Sequence, residues 1–177
     1  MKTYPHILFF ANRKGLTLTE IVIAMFAFAI ISAGVLAGVT QARKMAESNV
    51  RENNAVAVAG GFMEQLLATD YTVVRRASNP TATDSDRTLR FVIRDGEFLD
   101  VLANSGDWVG PLRIPIGVGE DDDFDRYMNF WMEVELAPTT DGLPSLSKTV
   151  RYKWSDPFSR RDHIRQISVV RAAATTN

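Results

Sequence analysis

Between Ile21 and Ala42 the chain runs for twenty-two residues without a formal charge. Within that run, Ile21 to Val39 reads IVIAMFAFAIISAGVLAGV, close to the ~20 apolar residues a helix needs to cross a hydrocarbon core about 30 Å thick. The segment is therefore expected to enter a membrane, and what precedes it decides whether it stays. An ordinary secretory signal is cut after its apolar region, beside small residues. Here the glycine-bounded polar junction, Lys14-Gly15 followed by Leu16-Thr17-Leu18-Thr19-Glu20, lies in front of the apolar run, so the run is expected to remain in the mature chain. Lys2, Arg13 and Lys14 favour a cytoplasmic N-terminus, an asymmetry that Arg43 and Lys44 weaken.

The wording Lys14-Gly15-Leu16-Thr17-Leu18-Thr19-Glu20 followed by an apolar run resembles the processing site of type IV pilins and of the pseudopilins of type II secretion. The resemblance implies that residues 1–15 are a leader, that a prepilin peptidase cuts after Gly15, and that the new amino terminus on Leu16 is methylated. It also implies an assembly role for Glu20, the fifth mature residue. A carboxylate entering a bilayer without a partner costs roughly 2.5–3.5 kcal/mol. The amine of a neighbouring subunit's Leu16 would be that partner, and the partial positive charge of a helix's first turn favours Glu20 even in a monomer. Without the resemblance, Glu20 reads as an interfacial acid at the start of a membrane helix.

A chain of 177 residues has room for one membrane helix and one small soluble domain. Removing Lys2, Arg13 and Lys14 with the leader moves the formal charge from −1 to −4, so nothing global attracts nucleic acid. Cysteine is absent, and an exported domain must then hold itself together by packing. Many major pilins close a C-terminal loop with a disulfide; within the resemblance, its absence points to a minor pilin or a pseudopilin.

No proline occurs from Leu16 until Pro80, and the sequence beyond Thr40 is rich in Ala, Glu, Gln, Arg and Met, which favour helix. One long helix is expected from about Leu16 to Ala68, about 80 Å at 1.5 Å per residue. Residues 16–42 form its transmembrane and assembly half, and residues 43–76 an amphipathic soluble half. Val56, Gly60, Met63 and Leu67 recur at helical spacing and are expected to be the buried stripe. Gly60-Gly61 calls for close backbone packing or a bend, with packing favoured. Gly34 and Gly38 make a small-xxx-small pair of the kind that lets membrane helices approach.

Residues 77–177 read as an antiparallel-sheet globular domain. Ala77 to Asp86 is an exposed connector. Thr88 to Arg94 and Glu97 to Leu102 flank Asp95-Gly96, a two-residue hairpin signal that sets Arg94 opposite Glu97 and Ile93 opposite Phe98. Met128, Phe130, Met132, Val134 and Leu136 share one face of a strand, as do Val150, Tyr152 and Trp154. Pairing those strands sets Glu133 and Glu135 across from Arg151 and Lys153. Ile164 to Arg171 alternates imperfectly and is expected to carry a bulge. The fold class is α+β, a helix covering one face of an antiparallel sheet.

Phe62-Met63-Glu64-Gln65-Leu66-Leu67 with Tyr71, and Val150 to Pro157 leading to Ile167-Ser168-Val169, resemble the minor pilins called type IV pilus modification proteins and their minor pseudopilin relatives. Retention of Glu20 separates the chain from the minor pseudopilin that caps the filament tip, which lacks that acid.

Three other constellations stand in the sequence. Asp121, Asp123 and Asp125 alternate like the start of a calcium loop, but Arg126 stands where glycine is needed and Met132 where the bidentate glutamate is needed. A solvated acidic loop is the better reading, with no metal or other cofactor assigned. Lys148 to Arg171 holds seven Lys/Arg against two Asp, while Gly119 to Asp141 holds eight acids against one arginine. If those segments are neighbours the charge balances internally, so nucleic acid binding is disfavoured, with Arg160 and Arg161 its first test positions. His163 is the histidine left after the leader, and no nucleophile setting accompanies it, so no enzyme is expected. The expected partners are other pilins or pseudopilins, the prepilin peptidase and an inner-membrane assembly platform. The site is the inner membrane, single-pass with the globular domain in the periplasm, and then a type IV pilus. A type II secretion pseudopilus uses the same parts and stands as the alternative; a membrane-anchored binding domain that never polymerises is the other.

Overall fold

The computed structural model describes residues 17–94, 96–116, 127–139, 145–156 and 161–172. Helix α1 spans Leu18–Ala68, followed by α2 (Tyr71–Ala77) and the single turn α3 (Asp84–Arg87). Six strands follow: β1 (Thr88–Val92), β2 (Phe98–Leu102), β3 (Val109–Pro115), β4 (Tyr127–Pro138), β5 (Ser145–Asp156) and β6 (Arg161–Ala172). They make a β1-β2 hairpin and an antiparallel sheet of order β3-β4-β5-β6, an α+β fold. The chain divides into two units, residues 1–43 and 44–177.

In the first unit the described residues are all helical from Leu18, and every one of residues 17–43 is exposed. In the second unit, α1 buries Ala55, Ala59, Phe62, Met63 and Leu66 against the sheet and hairpin. The expected stripe is corrected in part: Met63 is buried and Leu67 packs against the core, but Val56 is 44% exposed, and the buried face is centred nearer Ala55, Ala59 and Leu66. Phe62 then reaches both layers, 5.6 Å edge-on to Phe91 of the hairpin and 6.2 Å from Phe130 of the sheet. The expected close packing at Gly60-Gly61 is not found, since a Cβ at either would meet nothing within 4 Å, and the helix runs through both.

Residues 43–76 are not one continuous helix. Asp70 leaves helical geometry and caps α2, its carboxylate accepting from the Thr72 backbone N–H at 2.7 Å and the Thr72 hydroxyl at 2.6 Å. Those bonds hold the Asp70 carboxyl below its ordinary range. Above the break, the sheet satisfies the carbonyls that α1 leaves unbonded at its end. Lys148, fully buried on β5, donates from Nζ to the Leu66 carbonyl at 2.7 Å. Arg171 on β6 donates to the carbonyls of Leu67 and Thr69 at 2.7 and 3.1 Å. Burial pushes the Lys148 pKa down and the neighbouring Arg171 adds to the shift.

Two side-chain amides tie the hairpin in. Gln65 donates to the Val92 carbonyl (3.0 Å) and accepts from the Val92 N–H (2.8 Å), standing in for a strand beside β1. Asn104 does the same for Leu136 of β4, at 2.9 and 2.6 Å. The hairpin register differs from the expected one by a residue: Val92 faces Phe98 and Arg90 faces Asp100. Gly96 at φ +88° takes an extra loop position, as in hairpins whose three-residue loop ends in a left-handed glycine. Arg90 and Asp100 consequently make the cross-strand ion pair, at 2.8 Å.

In the main sheet, Met128, Phe130, Met132, Val134 and Leu136 are all buried, as are Val150, Tyr152 and Trp154. Glu133 faces Arg151 as expected and bonds it at 3.0 Å. Glu135 instead faces Thr149, and Lys153 faces Trp131. β6 pairs with β5 through twelve residues without a shift, so the expected bulge is absent there. The irregularity lies between Val109 and Leu112 on β3, a strand whose Gly110, Pro111 and Pro115 hid it from the sequence reading. Gly110 has φ +140°, and a Cβ there would stand 2.7 Å from the Phe130 carbonyl oxygen. Gly110→Ala is accordingly expected to destabilise the second unit by about 1–3 kcal/mol, read as a lowered urea midpoint with an unchanged slope.

Candidate functional site

The first described turn of α1 is built by two side chains. Thr17 precedes the helix and Glu20 sits in its first turn. The Glu20 carboxylate accepts from the Thr17 backbone N–H at 2.9 Å and from its hydroxyl at 3.0 Å, while the Glu20 N–H donates to Thr17 Oγ1 at 3.3 Å. This is a reciprocal capping box, the Thr-x-x-Glu arrangement that satisfies backbone donors at a helix start. The pattern Thr17-Leu18-Thr19-Glu20 was readable in the sequence, but attention to Glu20 as an intermolecular partner passed over it. Every atom of Thr17 used by the cap survives a cut between Gly15 and Leu16, so the cap belongs equally to the precursor and to a trimmed chain. Gly15 and Leu16 themselves lie outside the described residues.

Beyond the cap, α1 is long and apolar enough to cross a membrane, and the window that meets that test has none of its residues buried. Thr40 bonds its hydroxyl to the Leu36 carbonyl at 2.8 Å, which leaves that polar group satisfied within the helix. Gly34 and Gly38 have open space where a Cβ would stand. The surface that this segment offers is thus apolar, with a single acid at its start.

The second unit offers other groups. Among its described residues, the basic segment from Lys148 to Arg171 is engaged inside the chain. Lys148 and Arg171 cap α1, Arg151 bonds Glu133, and Arg165 bonds Glu52 at 3.2 Å. Lys153 lies 5.0 Å from the Trp108 ring and 5.2 Å from the Trp131 ring, with Asp162 at 4.0 Å. Arg161 opens β6 opposite Asp156, whereas Arg160 lies outside the described residues. So does the acidic loop, residues 119–125. His163 stacks on Trp154 at 5.2 Å. A cleft of about 940 Å³ lies between α2 and the ends of β4 and β5, lined by Tyr71, Arg75, Arg76, Asn79, Pro138 and Leu146 among others. Among the described residues, no group of three or more His, Cys, Asp or Glu is placed to hold a metal ion.

The geometry of the cap makes one prediction. Thr17→Ala should cost about 1 kcal/mol at the helix start, seen as roughly fivefold faster amide exchange of residues 18–21 in detergent micelles, while Thr17→Ser retains protection. Comparison with known proteins bears on the same segment. Residues 10–36 match the family model described as the prokaryotic N-terminal methylation motif. Neither the curated proteins nor the solved structures give a significant match. The match begins before the Gly15-Leu16 junction and runs through Thr17, Glu20 and the uncovered apolar residues to Leu36. This chain therefore carries a prepilin-type methylation motif at its N-terminus, consistent with the type IV pilin and pseudopilin family.

Proposed function

We propose that the chain is a minor pilin: a structural subunit trimmed after Gly15, methylated on Leu16, and assembled through its N-terminal helix into a type IV pilus. Before assembly it spans the inner membrane once, with the sheet domain in the periplasm. One observation carries the reading. An apolar helix with no covering of its own starts, inside the matched motif, at a capped turn holding Glu20. Such a helix needs lipid first and other helices afterwards, and a filament of pilins supplies the second environment. The partners follow from that requirement: a prepilin peptidase, other pilins or pseudopilins, and an inner-membrane assembly platform. Within the filament, Glu20 of one subunit would meet the Leu16 amine of its neighbour and so fix axial register.

Two experiments test this. Mass spectrometry of the native protein should find an N-methylated Leu16 at the start in cells with the peptidase, and the untrimmed chain in cells without it. A protein that keeps its original methionine in both, or begins beyond residue 42, is incompatible with the proposal. Glu20→Val should insert and be processed, yet be incorporated into sheared filaments less than the unmodified chain, by at most the roughly hundredfold to which an unpartnered charge of about 2.5–3.5 kcal/mol corresponds. Normal incorporation would remove the register role.

A further inference from the structure

The cleft between α2 and the ends of β4 and β5 has no part in helix-mediated assembly. Its floor is apolar, with Pro80, Leu136, Pro138 and Leu146, and its α2 wall carries Arg75 and Arg76. Among the described residues that line it there is no acid. Arg75 makes no ion pair with a described residue, and Arg76 reaches Asp86 only at 3.9 Å, with both side chains exposed. At about 940 Å³ the cleft is far larger than a single small anion and is of the size that encloses a bulkier ligand. An apolar floor beside two guanidinium groups fits a peptide that brings carboxylates together with an apolar side chain.

The sequence holds such a peptide, tethered at the other end of the same sheet. Between Ile116 and Tyr127, residues 117–126 carry Glu120, Asp121, Asp122, Asp123 and Asp125 around Phe124. The segment lies outside the described residues, whereas both of its tethers are described. β4 runs from Tyr127 to Pro138 at the cleft, roughly 37 Å at about 3.4 Å per residue. A ten-residue segment held at both ends reaches out by at most about 18 Å, so it cannot enter the cleft of its own chain.

Contacts of β6 with α1 give the direction of that separation. Arg165 bonds Glu52, and Arg171 bonds the carbonyls of Leu67 and Thr69. From Arg165 to Arg171 the strand rises about 20 Å, and from Glu52 to Leu67 the helix rises about 22 Å, so β6 runs nearly along the helix axis. β4, two strands over, is turned from β6 by about 40–50° of sheet twist, and most of its length is still axial. Tyr127 therefore lies toward the end of the second unit where α1 enters, and the cleft toward the end where α1 stops. Shifting one copy along the axis brings its acidic segment to the cleft of another with both helices pointing the same way. That is a heterologous contact, which can repeat without closing.

We propose that the cleft beside α2 receives the acidic segment, residues 119–125, of a second copy, so that copies stack head to tail along α1. The contact rests on the filament reading only for the shared direction of the helices.

Cysteine is absent from the native chain, so two introduced thiols can report the contact in the full chain in detergent micelles, where no shared bilayer holds the copies at one height. Asn79→Cys at the cleft with Glu120→Cys in the acidic segment should give, under mild oxidation, a ladder of linked dimers, trimers and higher species. Either single substitution should give a dimer at most. In the double-cysteine background, Arg75→Glu with Arg76→Glu should lower linking about tenfold, and so should Asp122→Arg with Asp123→Arg. Mixing these two reversed chains should restore a mixed dimer, because the first keeps the native acidic segment and the second the native cleft. Four results would overturn the proposal: no linked product from the double-cysteine chain, a dimer with nothing above it, reversed chains that link like their parent, or a mixture that links no better than its components. Trimming plays no part, since the chain in micelles keeps residues 1–15. A missing ladder beside normal trimming in cells removes this contact and leaves the filament subunit, whereas a ladder from a chain that cells never trim supports the contact and removes the filament reading.

Discussion

The first unit presents an apolar helical surface that is exposed among the described residues. Between Leu18 and Val39, twelve large apolar side chains are exposed. Burial of each is worth about 1.5–3 kcal/mol, so covering the set is a large driving force. Lipid and the helices of other subunits are two environments that would cover such a surface.

The second unit solves the complementary problem of holding a sheet to a helix end without disulfides. Its aromatic core gives the bulk of the packing, with Phe130, Tyr152 and Trp154 stacked at 5.9 and 6.0 Å. Polar groups then fix where the parts meet. Lys148 and Arg171 hold the terminal carbonyls of α1, and Gln65 and Asn104 complete the backbone pairing of β1 and β4. A buried ammonium is expensive unless it is both paired and hydrogen-bonded; the carbonyl that Lys148 meets lacks a helical partner, so the bond satisfies both groups and offsets part of that cost, while burial still pushes the Lys148 pKa down. Lys148, Arg151, Arg165 and Arg171, cations that give the C-terminal segment its basic composition, are bonded within the fold.

How far the sequence disclosed this depends on which physical signal each element carries. β4 and β5 were legible because alternation at Met128 to Leu136 and Val150 to Trp154 directly reports a half-buried strand. The helix stripe was legible only in part: Met63 and Leu67 do pack on the core, but Val56 does not, and the alanines at 55 and 59, which carry little hydrophobic signal, make contact in its place. The hairpin was found but its register was one residue off, since Asp95-Gly96 suits both a two-residue loop and a longer loop closed by Gly96. β3 was missed because its glycine and prolines mimic a loop. Lys148 left a trace: it falls at the inward parity of β5, between Leu146 and Val150, where a lysine can persist only by finding a buried acceptor. At the N-terminus the motif was fully legible, as its signals are local and need no tertiary partner.

The capping box changes what Glu20 can contribute to assembly. A carboxylate waiting in the membrane with no partner would release its whole desolvation penalty on meeting an amine. Glu20 does not wait in that state, because Thr17 already gives it two donors through one oxygen. Under the proposed assembly, pairing with a neighbour's amine is an addition to, or an exchange for, bonds already made, so its net gain is smaller than the full cost of an unpartnered acid. Affinity must then come mainly from the apolar surface, whose contribution is large but nearly indifferent to sliding along the helix axis. Register is the quantity that a directional, charge-assisted bond can set and apolar contact cannot. A single acid on an otherwise uncharged span is enough for that task, and a second would add a buried charge with no amine left to meet.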